Sequence, residues 1–114
     1  MQYINDFEFG RITINTKVFT SDIIIFPEKL AENWWREEGH KLQLNDIQDI
    51  LEYYPEVFII GTGTNSMMRV TDAVIQILNK RNIEYHILPT PRAVELHNQL
   101  SAKNRVVTAL HLTC

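Results

Sequence analysis

The sequence predicts a three-layer α/β domain: a mostly parallel central sheet built from a βαβαβ unit, with an N-terminal β-meander or hairpin as an added layer. Three observations carry this. Residues 7–26 alternate apolar and polar side chains with the two-residue period of strands. From residue 57 onward, short apolar runs alternate with segments of helical period. No linker, repeat or low-complexity stretch divides the 114 residues, so a single domain spans 1–114.

The elements follow in order. Ile12 and Ile14 share one strand face, with Arg11, Thr13 and Asn15 on the other. Asn15-Thr16-Lys17 reads as a turn, and Val18-Phe19-Thr20 as the return. Ile23 to Phe26 is continuously apolar, a third meander strand covered on both faces, and Pro27 ends it by withdrawing a backbone donor. Residues 45–54 form a helix whose Ile47, Ile50, Leu51 and Tyr54 line one face. Asn45 and Gln48 have capping-box spacing, and Pro55 stops the helix. Val57 to Ile60 is a buried strand leading into Gly61-Thr62-Gly63. Val70, Ala73, Val74, Ile77 and Leu78 give the next helix its apolar face, closed by Asn82, which tolerates the left-handed conformation. Tyr85 to Leu88 is a strand. Thr90 supplies an N-cap hydroxyl and Pro91 a first-turn proline to a helix that buries Ala93, Leu96 and Leu100. Arg105 to Leu112 is the closing strand.

Composition narrows function by exclusion. A formal charge of −3 and a pI near 5.7 provide no basic stripe for nucleic acid. No apolar run reaches the ~20 residues of a membrane-spanning helix. The opening residues carry acid and no basic n-region, so the expectation is a cytoplasmic protein without a leader. One Cys excludes a disulfide framework, and four scattered histidines exclude a metal set, so neither metal nor cofactor is expected.

Two segments remain as candidate sites. Gly61-Thr62-Gly63-Thr64 follows a buried strand, where glycines let backbone N–H groups approach an anion and Arg69 adds a full charge. The same loop also reads as a tight turn that needs glycine dihedrals, and Ser66 breaks the dinucleotide fingerprint. In Trp34-Trp35-Arg36-Glu37-Glu38-Gly39-His40, Arg36 with a Trp wall suits a carboxylate or phosphate, or anchors a protein interface. Alternatively one Trp closes the core and Arg36 pairs with an acid. His111 and Cys114 fall on opposite faces of an extended chain, which argues against a Cys–His nucleophile.

Several short pieces run nearly end to end in a fixed order. They are Phe9-Gly10, Ser21-Asp22-Ile23, Trp35-Arg36-Glu37-x-Gly39-His40, Pro55-Glu56 and Ile59-Ile60-Gly61-Thr62-Gly63 with Val70. Thr90, Ala93-Val94, Asn98-x-Leu100 and Val106-x-x-x-Leu110-His111-x-Thr113-Cys114 complete the set. With these motifs the chain resembles the Mth938-like domain family, whose members include an adipogenesis-associated protein and mitochondrial complex I assembly factor three. Lys17, Phe19 and His97 depart from the glycine and two tyrosines frequent in the family. The resemblance implies a three-layer α/β fold with an added hairpin and no known reaction. Its residues coincide with the candidate pocket at Trp35, Arg36, Gly61, Gly63 and Thr90.

Two functions are therefore expected. The first is a non-enzymatic interaction or assembly-type module with a protein partner. The alternative is a small-molecule binding protein or enzyme, taking an anionic ligand at Gly61–Thr64 with Trp35, Arg36, Arg69 and Thr90. An Arg36 that converges on the glycine loop favours the pocket, and one that faces outward favours the interface. A monomer or homodimer is expected.

Overall fold

The structure is a computed structural model and describes residues 2–114. Strands β1 (Ile4–Glu8), β2 (Arg11–Ile14) and β3 (Lys17–Phe19) form an antiparallel sheet in sequence order. Asn15 and Thr16 make the β2–β3 turn with φ of 51° and 68°, the left-handed pair that a two-residue hairpin loop requires.

The third run leaves the expected meander. Strand β4 (Ile23–Ile25) joins the central sheet, where it pairs antiparallel with the last strand and with the short β5 (Leu30–Ala31). Its three isoleucines are all buried, because a sheet interior covers both faces. Short β6 (Lys41–Leu42) follows, then a 3₁₀ turn over Leu44–Ile47 and helix α1 (Gln48–Tyr53). The cap reciprocity falls at Gln43 and Asp46 rather than Asn45 and Gln48, since the helix enters through the 3₁₀ turn: the Gln43 N–H donates to Asp46 Oδ2 at 2.7 Å.

Next come β7 (Val57–Gly61), β8 (Arg69–Val70), α2 (Asp72–Lys80), β9 (Glu84–Leu88), α3 (Thr90–Leu100) and β10 (Val106–Leu110). The central sheet has the order β5-β4-β10-β7-β9. Its βαβαβ strands, β10, β7 and β9, are parallel, with Val57 level with Val106 on one side and Glu84 on the other. Val70 does not begin α2. It pairs with Leu42 in a two-stranded ribbon of β6 and β8, and Ala73 is exposed while Val74 and Leu78 are buried. Asn82 takes φ of 57° just past α2, as its side chain allows.

Alternation along the strands divides the core. Phe58, Ile60, Val107 and Ala109 face α1 and α2. Val57, Ile59, Val106 and Leu110 face α3 and the β1–β3 sheet, which contributes Ile4, Ile12, Ile14 and Phe19. Helices α2 and α3 therefore lie on opposite faces. The loop after β7 runs to one face and the loop after its neighbour β9 runs to the other, which opens a crevice at their carboxyl ends. No helix of the described residues is long and apolar enough to cross a membrane.

Candidate functional site

The glycine loop follows β7 and leads into β8, and the molecule itself takes its backbone donors. Thr62 N–H donates to Leu88 O at 2.9 Å and Gly63 N–H to Thr90 Oγ1 at 2.8 Å. Thr64 N–H meets Thr113 O at 2.8 Å, while Asn65 and Met67 N–H both meet Cys114 O, at 3.1 and 3.0 Å. Gly63 has φ of +103°, and a Cβ there would run into the Cys114 backbone and His111 Cδ2. A Cβ on Gly61 would lie 3.0 Å from Thr90 Oγ1 and 3.3 Å from Ala93 Cβ. The glycines therefore admit the segment Leu112–Cys114 and the start of α3, and those backbone donors are spent inside the molecule.

Thr90 does not cap α3. Pro89 holds the N-cap position, and the Thr90 hydroxyl turns inward, donating to His111 O at 2.6 Å while accepting from Gly63. The prolyl ring at residue 91 still occupies the first turn.

Arg36 neither lines an open pocket nor faces outward; it follows the alternative reading, pairing with an acid while Trp34 packs against the core. It is 7% exposed, and its Nη2 donates to Asp22 Oδ2 and Gly39 O, each at 2.8 Å. The guanidinium carbon lies 4.6 Å from the Trp34 ring centroid, and Nε and Nη1 are buried without a hydrogen-bond partner. Asp22 Oδ2 also receives His111 Nδ1 at 2.8 Å, and Oδ1 accepts the Leu112 N–H at 2.8 Å. An ionised carboxylate can only accept, so this contact assigns the proton to Nδ1 and leaves Nε2 3.5 Å from Thr113 Oγ1. Burial pushes the Asp22 carboxyl up, but the bonds from His111, Leu112 and Arg36 outweigh it and hold it below its ordinary value. Asp22 and His111 are the residues that sequence reasoning left without a role. Their signal was their place in the family-like motifs, with no local spacing to join them.

The tryptophans separate. Trp34 is half-buried and its indole N–H donates to Asp46 O at 3.3 Å. Trp35 is 78% exposed and lines a groove of about 380 Å³ with Trp34, Glu37, Asp46 and Asp49. None of those three carboxylates forms an ion pair among the described residues. A second groove, of about 520 Å³, occupies the crevice between the carboxyl ends of β7 and β9. It brings Thr62 and Arg69 together with Met68, Ile75 and Ile87. Thr64 is exposed, Gly61 and Gly63 are buried, and Trp35 lines the other groove. Arg36 adjoins the glycine loop only through His111, whose Nδ1 lies 3.2 Å from Arg36 Nη2 and whose N–H donates to Gly61 O at 3.0 Å. No group of three or more potential metal-binding side chains occurs among the described residues.

A family model for a protein of unknown function (DUF498/DUF598) matches residues 4–111. A conserved hypothetical protein from Pyrococcus horikoshii is 25% identical, with a TM-score of 0.84 over 97% of this chain and 98% of that one. An outer membrane protein from Bartonella henselae is 23% identical, with a TM-score of 0.83 over 99% and 96% of the two chains. A Mth938-like domain from Bordetella pertussis is 20% identical, with a TM-score of 0.65 over 97% and 85%. The latter two identities establish a common fold.

Proposed function

The chain belongs to the DUF498/DUF598 family of unknown function, with the Mth938-like fold, and from that premise we propose that it is a non-enzymatic interaction module. Its partner is a protein segment rich in Lys and Arg. The exposed indole of Trp35 beside carboxylates that form no ion pair among the described residues carries this reading.

An indole left 78% exposed is unmatched apolar surface, and Trp is the side chain that most often anchors interfaces. Its ring face attracts cations. Glu37, Asp46 and Asp49 line the same groove, so a basic side chain can stack on Trp35 and meet a carboxylate at once. The overall charge of −3 steers the same partner. Arg36, by contrast, is consumed by Asp22 and Gly39 and holds the segment that presents Trp35.

Titration with an arginine-rich peptide, followed by Trp fluorescence, tests this. Saturable quenching that weakens with salt, and disappears in Trp35→Ala and Asp49→Asn, is expected. Binding that is absent in the wild type, or unchanged in both variants, refutes the reading. An acidic peptide of equal length should leave the emission unchanged.

A further inference from the structure

We propose that the crevice between the carboxyl ends of β7 and β9 binds a small amphiphile: an aliphatic chain bearing one terminal carboxylate. The fold forms this crevice because neighbouring parallel strands send their loops to opposite faces, the arrangement in which open α/β sheets gather ligands. Its volume of about 520 Å³ suits a small molecule.

The lining sets the class of ligand. Met68 is buried, and Val70, Ile75, Ile87 and Leu88 present further apolar surface, with Ile87 38% exposed. These groups offer an alkyl chain a bed and no hydrogen bonds. Arg69 is the one cation of the lining, and it forms no ion pair among the described residues. A guanidinium binds a planar carboxylate through two parallel N–H bonds. The singly charged head follows from the surroundings: no second cation lines the groove, and Asp72 shares the adjoining depression with Arg69. A dianion would meet that carboxylate with too little positive charge. The backbone donors of residues 62–65 are already spent, so the head group meets the Arg69 side chain, with the exposed Ser66 hydroxyl of the lining as a neutral second donor.

The test is an amide NMR titration with octanoate, alongside octylammonium and octan-1-ol. Octanoate should shift the resonances of residues 66–70 and 87–88 saturably, with octylammonium leaving them in place. Arg69→Gln should weaken octanoate about tenfold, equivalent to roughly 1.4 kcal/mol, and Arg69→Lys by less. Ile87→Glu sets a second carboxylate into the groove and should abolish binding. The proposal is overturned by no shifts at about 10 mM octanoate, beyond the weak end of useful affinity, by equal binding of octanol or octylammonium, or by octanoate binding that Arg69→Gln leaves intact. Shifts confined to the Trp35 groove also refute it.

Discussion

Asp22 gathers three donors on one carboxylate: Arg36, His111 and the Leu112 backbone. Removing Arg36 takes the ionic partner from that carboxylate and a donor from the Gly39 carbonyl, and leaves Asp22 to the bonds from His111 and Leu112. Arg36→Ala should cost about 3 kcal/mol in urea unfolding, the scale of a buried ion pair that loses one partner. Arg36→Lys should recover part, since an ammonium reaches fewer of the same acceptors. His97 is buried differently. Its Nε2 lies 2.7 Å from Gln2 O and its Nδ1 2.7 Å from Thr108 Oγ1, and burial pulls its pKa below the ordinary 6.5. Both shifts run downward, so both weaken the fold in acid. Below pH 6.5 the unfolded chain takes up a His97 proton that the folded chain refuses, and stability falls through that window. The Asp22 contribution is complete above 3.8 and is lost as pH falls from there through its lower folded value. Melting temperature should therefore decline in two stages, and His97→Gln should erase the upper one alone.

Two clasps hold elements together. Asn98 of α3 grips β1 at both polar groups of one residue: Oδ1 accepts the Ile4 N–H at 3.0 Å, and Nδ2 donates to Ile4 O at 2.8 Å. Asn98→Ala should cost about 2 kcal/mol, because it leaves two partly buried groups unpaired. The other clasp is Thr90, which joins the glycine loop to the segment after β10. Thr90→Val fills the space but orphans the Gly63 N–H, and should cost about 2 kcal/mol, with Thr90→Ser restoring most of it. Gly63→Ala acts through space and backbone together. A strained φ of +103° and the collision with Cys114 should displace Leu112–Cys114. Hydrogen exchange at Thr64, Asn65 and Met67 would then accelerate, while β7 and β10 stay protected.

Across the whole molecule, stability and the proposed interactions occupy separate residues. The central strands β7 and β10 are fully buried and join both cores, whereas Trp35, Glu37, Asp49, Arg69 and Ile87 are exposed. Trp35→Ala and Arg69→Gln should thus each change unfolding free energy by less than about 0.5 kcal/mol while removing binding at one groove. Loss of binding without loss of stability, in each variant at its own groove, is the pattern that separates a surface role from a structural one.

By itself the sequence determined the α/β class, the strand–helix alternation after residue 57, the hairpin turn at Asn15 and the left-handed exit at Asn82. Each follows from local period or from one residue's conformational freedom, which neighbours in the chain fully encode. Pairing between distant strands has no such local trace. Only the tertiary structure decided that β4 crosses to β10, that Asp22, Arg36 and His111 share a cluster, and that Thr90 bonds inward. It also decided the fate of the glycine loop. The loop's donors are legible in the sequence, but what fills them is the chain's own Leu112–Cys114, nearly fifty residues away, brought there by the parallel register of β7 with β10.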